Sequence, residues 1–97
     1  MLTSKQRSVL KGLASNLSPV GQVGKNGIDE EVLNSFDKAL NNRELIKINV
    51  LENCEYSPKE AGDILAEKLN AEFVIAIGKK VVLYRVSDKE GVKHIEL

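Results

Sequence analysis

The two apolar runs EFVIAI and VVLYRV, separated by the short GKK, constrain the fold of this 97-residue chain more than any other feature. Continuous apolar runs around a glycine-containing turn are typical of two well-buried strands in a hairpin. A third strand is predicted at 44–52 (ELIKINVLE), because branched residues alternate along it. A shorter strand is predicted at 19–23 (PVGQV), which makes four strands in all.

Three amphipathic helices separate these strands, and capping residues indicate where each helix begins. Thr3 or Ser4 caps the first helix, Asp29 the second and Ser57 the third. The predicted apolar stripe of the first helix consists of Val9, Leu10, Leu13 and Leu17. Strands joined by crossover helices tend to pair in parallel, whereas a hairpin is antiparallel. The order αβαβαββ therefore predicts an α/β (α+β) fold, a mixed four-stranded sheet packed by three helices.

Length and composition indicate a single compact domain over residues 1–97, with a core at about 2–86 and a short tail at 87–97. The chain contains no apolar run of the roughly 18 to 20 residues that a membrane helix needs, and its N-terminus lacks a secretory signal. We therefore expect a cytoplasmic monomer without a membrane partner. The single cysteine, Cys54, agrees with a reducing compartment.

Residue types that support catalysis are scarce. A Cys/His site would require Cys54 to meet the only histidine, His94, and no His, Cys or acid cluster has metal-ligand spacing. A Walker loop would need glycine where Pro19 stands and Ser or Thr where Asn26 stands, and the glycines are not spaced as in a dinucleotide fingerprint. We expect no enzymatic activity, no cofactor and no metal.

The turn Gly24-Lys25-Asn26-Gly27 remains as the candidate binding motif, between a predicted strand and a helix N-terminus. Two glycines permit close approach of a nucleic-acid backbone, and the lysine adds a positive charge. Residues 1–28 carry four bases and no acid, although the formal net charge of the whole chain is +0. The charge is therefore polarised, and a basic face can exist without net basicity.

Further basic residues accompany the turn. On the first helix, three bases lie outside the apolar stripe and are expected to project toward solvent, namely Lys5, Arg7 and Lys11. Lys79 and Lys80 lie at the hairpin tip, and Arg85 lies on the last predicted strand. Among the few aromatics, only Tyr56 is expected to be free, so contacts to RNA should involve backbone and shape more than base stacking.

In order and spacing, the chain resembles the CRM domain (chloroplast RNA splicing and ribosome maturation), especially the small bacterial YhbY-like proteins. The stretches that carry the resemblance are LTSKQRSVLKGLA, VGQVGKNGI, ALNNRELIKINVL and AEFVIAIGKKVVLYR, and they cover about residues 2–86. The resemblance implies a fold similar to the C-terminal domain of translation initiation factor three.

The same resemblance implies a non-enzymatic RNA-binding protein that associates with precursors of the large ribosomal subunit and assists their assembly. It assigns the RNA contacts to Gly24, Lys25, Asn26 and Gly27, with the basic residues of the first helix as neighbours. Lys79, Lys80 and Arg85 extend this predicted surface. The alternative hypothesis is a small protein-interaction module, in which the hydrophobic strand surface or the acidic second helix binds a partner without direct RNA contact.

Overall fold

Four strands form one mixed sheet, and three helices cover its two faces. The computed structural model describes residues 2–97. In chain order the elements are α1 (Ser4–Ala14), β1 (Gly21–Val23), α2 (Glu30–Arg43), β2 (Leu45–Val50), α3 (Pro58–Leu69), β3 (Glu72–Ile77) and β4 (Lys80–Tyr84). The predicted order αβαβαββ is confirmed, and no strand end differs from its prediction by more than two residues.

The strand order is β1-β2-β4-β3, so the last strand of the chain lies inside the sheet. β1 and β2 are parallel, as predicted for strands joined by a crossover helix. β2 and β3 also run parallel, but the prediction that they pair is wrong, because β4 lies between them and is antiparallel to both. The side chains from Val81 to Tyr84 are all buried, and such a strand fits best inside a sheet whose two faces are covered.

Local capping determines where the helices begin. Of the two candidate caps for α1, Thr3 is the one used: its hydroxyl accepts from the Gln6 N–H at 3.1 Å, and the Gln6 side chain accepts from the Thr3 N–H at 3.0 Å. Ser57 and Glu60 form the same reciprocal pair at the start of α3. Asp29 caps α2 as predicted. These contacts satisfy N–H groups that a helix leaves free at its first turn.

Two hydrophobic cores lie on opposite faces of the sheet. Helices α2 and α3 cover one face, where the larger core consists of Val23, Phe36, Leu40, Ile46, Ile48, Val50, Ala61, Leu65, Ala66, Leu69, Val81 and Leu83. Helix α1 covers the other face, where the smaller core consists of Leu10, Ala14, Leu45, Val74, Val82 and Tyr84. Within residues 2–97, none of the helices has the length and apolar character needed to span a membrane.

The buried stripe of α1 differs from the prediction. Leu10 and Ala14 are buried, whereas Val9 is 41% and Leu13 is 45% exposed. Residues 10 and 14 lie one helical turn apart on the same side, and α1 contacts the sheet through this narrow stripe. Val9 and Leu13 lie along one edge of that stripe and are left facing solvent.

The expectation that Arg7 projects toward solvent is wrong. Its guanidinium group donates hydrogen bonds to the carbonyl oxygens of Phe73 at 2.7 Å and of Val74 at 2.6 Å, and the side chain is half-buried. The pairing of β3 with β4 shifts register between Phe73 and Ile75. Such a bulge disrupts the ladder of backbone hydrogen bonds locally, so its carbonyls can accept from a side chain. Arg7 therefore joins α1 to the sheet.

The C-terminal tail folds back onto Glu44, the residue that joins α2 to β2. The Glu44 side chain is fully buried and accepts hydrogen bonds from the Ser87 N–H at 2.6 Å and the Ile95 N–H at 2.8 Å. The Nδ1 atom of His94 lies 2.6 Å from the same carboxylate. We call these four residues the C-terminal clasp. It makes the tail part of the packed structure, although sequence reasoning assigned the tail no role.

Two opposing effects act on the Glu44 carboxyl. Burial raises its pKa, because a charged group is poorly solvated inside a protein. The hydrogen bonds from Ser87, His94 and Ile95, together with the charge of the imidazole, lower the pKa and outweigh burial. The net pKa is below the ordinary value of 4.5, so the clasp contains a carboxylate at neutral pH.

Candidate nucleic-acid interface

Three connecting segments meet at one end of the sheet. β1 and β2 run parallel and end there, and the turn between β3 and β4 reaches the same end. The Val50 N–H donates to the Lys79 carbonyl at 2.7 Å, and the Leu51 N–H donates to the Val23 carbonyl at 2.8 Å. We call this the loop end; it contains residues 24–29, 51–57 and 78–80.

The candidate motif forms a tight turn at the loop end. The Gly27 N–H donates to the Gly24 carbonyl at 2.9 Å, and Lys25 and Asn26 are exposed between them. Gly27 has a φ of +69°, a conformation that residues with a Cβ rarely adopt. A Cβ at Gly24 would lie 3.0 Å from the Leu51 side chain, so that position is also tight. The glycines thus allow a sharp turn that presents Lys25 and Asn26 to solvent.

A polar row crosses the sheet next to this turn, on the face that carries α1. The strand register places Gln22 of β1 beside Asn49 of β2, and Asn49 beside Lys80 of β4. Gln22 and Lys80 are exposed and Asn49 is half-buried. α1 packs on the other half of this face, around Leu45 and Tyr84, and so leaves the row accessible. We call Gln22, Asn49 and Lys80 the polar row.

Two members of the polar row were missed by sequence reasoning. Gln22 and Asn49 lie on different strands, 27 positions apart in the chain, and become neighbours only through strand pairing. The available signal was alternation: both are polar residues between apolar neighbours on strands, so both point away from the larger core. Register between strands was needed to place them side by side.

The predicted basic residues of α1 separate into different roles. Residues four apart share an edge of a helix, so the exposed Lys11 lies on the edge from which Arg7 reaches β3. Lys5 is also exposed, but two residues of helix rotate its side chain by about 200° away from Arg7. The structure therefore places Lys11 on the sheet-facing edge and Lys5 on the outer side of the helix.

The two hairpin lysines, Lys79 and Lys80, have different neighbours. The Lys79 ammonium group is paired with the Glu52 carboxylate, and both side chains are largely exposed. The hydrogen bond from Lys79 lowers the pKa of Glu52. Lys80 begins β4 and belongs to the polar row. The two lysines are adjacent in sequence, but one is beside an acid and the other is beside an amide.

Arg85 does not lie on a strand, because β4 ends at Tyr84. Its side chain is 18% exposed and donates to the Asp37 carboxylate and the Leu69 carbonyl, each at 2.8 Å. A further hydrogen bond of 2.9 Å joins it to the side chain of Asn41. The guanidinium group therefore connects the end of α3 to α2, away from the loop end. The sequence prediction that Arg85 lies on the last strand is wrong.

A groove of about 450 Å³ opens beside the candidate turn. Its walls are β1, residues 24–29 and the first two turns of α2, and its lining includes both apolar side chains and carboxylates. β1 is an edge strand, so the groove follows an open side of the sheet. Sequence reasoning did not predict this groove, because it depends on how α2 packs beside β1.

The remaining aromatic and reactive side chains are placed elsewhere. Tyr56, expected to be free, is half-buried and packs against the larger core. Cys54 follows the end of β2 and His94 binds Glu44 before its start, so the six-residue strand separates them by roughly 20 Å. Within residues 2–97, no three His, Cys, Asp or Glu side chains are grouped to hold a metal ion.

The family model of the CRS1 / YhbY (CRM) domain matches residues 2–85. The chain therefore belongs to this family, and the resemblance stated from its sequence is confirmed. A Bacillus subtilis protein named "Probable RNA-binding protein YqeI" is 41% identical over 100% of this chain and 99% of its own. A Haemophilus influenzae "RNA-binding protein" is 37% identical over 95% of this chain and 93% of its own.

A solved structure agrees with the fold. The hypothetical protein SAV1595 from Staphylococcus aureus, described as "a putative RNA binding protein", has a solution structure that superimposes with a TM-score of 0.82. The two chains are 44% identical, and the match covers 100% of this chain and 99% of the other. The αβαβαββ architecture is therefore shared with this relative.

Proposed function

We propose that this protein binds RNA at its loop end and assists assembly of the large ribosomal subunit. One observation supports this most: the tight turn at Gly24–Gly27 and the polar row occupy the same end of the sheet, and neither is covered by α1. Two relatives of nearly the same length carry the description RNA-binding protein in their names. The ribosomal role follows from the resemblance to YhbY-like proteins.

The proposed contact is to the phosphate backbone. Lys25 supplies a charge at the turn, and Lys80 and Lys11 supply charges along the exposed face. Gln22 and Asn49 add neutral hydrogen-bonding groups to the same surface. The formal net charge of +0 makes this local arrangement decisive, because no general attraction to RNA arises from net charge.

A salt titration of three proteins tests the proposal. Fluorescence anisotropy with a labelled single-stranded fragment of large-subunit ribosomal RNA is measured for wild type, Lys25→Ala and the control Lys68→Ala. Lys68 is an exposed lysine in the last turn of α3, far from the loop end. We expect Lys25→Ala to weaken binding and reduce the slope of log affinity against log salt by about 0.7, with no change in the control. Equal slopes for all three proteins would contradict the proposal.

The assembly role requires a separate measurement. We expect the protein to sediment with precursors of the large subunit, and Lys25→Ala to lose this association while its free energy of unfolding is unchanged. Nuclease treatment should release the wild-type protein. Association that survives both nuclease and the Lys25 substitution would contradict binding through RNA.

A protein-interaction module is the second candidate, and one observation favours it. Apolar side chains are exposed away from the loop end: Val9 and Leu13 on α1, and Val86 and Leu97, which are 57% and 45% exposed. The strand surface proposed from the sequence is mostly unsuitable for this role, because helices cover both faces of the sheet. Nuclease-resistant sedimentation that is lost on Leu13→Ser would support this second function.

A further inference from the structure

Building on the proposed RNA binding, we infer that the groove beside the Gly24–Gly27 turn receives one unstacked nucleobase that carries an exocyclic amino group. The apolar part of the groove consists of Val32, Phe36 and Leu51. Gly21 and Gly24 contribute backbone instead of side chains to its walls. The remaining side chains of the lining are polar or charged, and the volume of about 450 Å³ lies in the range of small-ligand sites.

Gly21 maintains this shape. A Cβ at Gly21 would lie 2.9 Å from the Phe36 ring, so only glycine lets the ring pack this closely against β1. The ring is almost fully buried and forms part of the floor of the groove. A flat base can therefore lie against apolar atoms between the strand and α2, which lowers the cost of taking it out of a stack.

Charge separates the places for phosphate and base. All three charged residues line the groove, but the exposed Lys25 lies on the turn, whereas Asp29 and Glu31 lie at the start of α2. Carboxylates repel phosphates, but they accept hydrogen bonds from amino groups on base edges. An RNA chain that crosses Lys25 and the polar row can place its phosphates near the lysine and direct one base into the groove. The phosphates then stay outside the groove, and the base meets the carboxylates.

The acids also determine which bases fit. Asp29 Oδ1 already accepts the Val32 N–H at 2.8 Å, so the exposed Glu31 has the carboxylate that is more available. Guanine, adenine and cytosine carry an exocyclic amino group that can donate to Glu31. Uracil lacks this group, and the one donor on its pairing edge, the N3–H, lies between two carbonyl oxygens that a carboxylate repels. The groove should therefore discriminate against uracil.

Short oligonucleotides test this inference. Anisotropy is measured with hexauridylate and with the same hexamer carrying a single central guanine, adenine or cytosine. For wild type, we expect at least one substituted hexamer to bind about fivefold or more tightly than hexauridylate. Glu31→Gln should bring this ratio close to one, because an amide can also donate to a uracil carbonyl.

The matched control is Glu30→Gln. Glu30 is an exposed acid in the same first turn of α2, but it does not line this groove. Removing either charge should raise the affinity for hexauridylate by reducing repulsion of phosphate, whereas only Glu31→Gln should change the ratio between the hexamers. A wild-type ratio of one, or equal ratios in the two variants, would overturn the base site. Hexamers that bind equally with a steep salt dependence would leave the proposed RNA function intact, whereas no RNA binding would contradict that function.

Discussion

The two ends of the sheet use charged residues in opposite ways. At the C-terminal clasp, the Glu44 carboxylate is buried and receives three hydrogen bonds. At the loop end, Lys25 and Lys80 are exposed, and within residues 2–97 neither forms an ion pair. Charges that stabilise the fold are paired inside it, whereas charges available to a ligand remain in solvent.

Arginine and lysine follow the same division. Arg7 and Arg85 were both candidate RNA contacts, and both donate to backbone carbonyls of distant elements. A planar guanidinium group can donate several hydrogen bonds in fixed directions, which suits it to joining elements. Lys25 and Lys80, by contrast, present flexible point charges. The comparison therefore predicts stability effects for the arginines and binding effects for the lysines.

The largest expected effect is from removal of the clasp carboxylate. Glu44→Ala leaves the N–H groups of Ser87 and Ile95 and the ring of His94 without their acceptor. We expect the free energy of unfolding to fall by about 3 kcal/mol, measured by urea denaturation. The control Glu67→Ala, at an exposed position on α3, should change it by less than about 0.5 kcal/mol. A loss no greater than the control would show that the clasp does not stabilise the fold.

Arg85→Met tests the division between arginine and lysine, and we expect a loss of about 2 kcal/mol in the free energy of unfolding. The substitution keeps an apolar side chain but removes the hydrogen bonds to Asp37, Asn41 and the Leu69 carbonyl. RNA affinity of the folded protein should be unchanged in anisotropy measurements. If Arg85→Met instead weakens RNA binding as much as Lys25→Ala at unchanged stability, then Arg85 is an RNA contact.

Acid should weaken the clasp less than removal of Glu44, because a protonated carboxyl can still form hydrogen bonds. The pKa of Glu44 is lower in the folded protein than its ordinary value of 4.5. The stability that comes from ionisation of the Glu44 carboxyl is therefore complete above the unfolded pKa, and it is lost as pH falls through the lower folded pKa. Urea midpoints measured at about pH 6 and about pH 3 should fall more for wild type than for Glu44→Gln. Equal decreases would contradict this assignment, since other carboxyls titrate in both proteins.

The smallest expected effect compares the adjacent hairpin lysines. Lys80→Ala removes a positive charge from the polar row, so the slope of log RNA affinity against log salt should decrease by about 0.7. Lys79→Ala should change the slope less, because Glu52 already neutralises this ammonium group. Glu52→Gln should make Lys79 available and strengthen RNA binding. If Lys79→Ala lowers the salt slope more than Lys80→Ala does, then the expected difference between the two lysines is wrong.

Local chemistry made much of the fold predictable. The caps at Thr3, Asp29 and Ser57 act on backbone groups within three residues, so sequence alone identifies them. The same holds for the glycine turn at 24–27, whose position between a strand and a helix was predicted. The order and spacing of motifs along the chain carried the family resemblance, and the family model agrees.

The candidate site was only partly predictable. Lys25 and Asn26 are exposed as the turn predicts, but the polar row depends on register between strands. Arg7 was wrongly expected to face solvent, because its partners at Phe73 and Val74 are 66 and 67 positions away. A charged residue outside an apolar stripe can be solvated or bonded to a distant carbonyl, and the pattern of the helix does not distinguish these cases.

The sequence by itself determined the order of the elements, where the helices begin and the position of the glycine turn, because these depend on interactions between near neighbours. The tertiary structure decided that β4 lies between β2 and β3, which places Lys80 beside Asn49 in the polar row. It also decided which charges are buried: Arg85 meets Asp37 across 48 positions, and Glu44 meets His94 across 50. Such partners are set by the packing of whole elements, which no local pattern encodes.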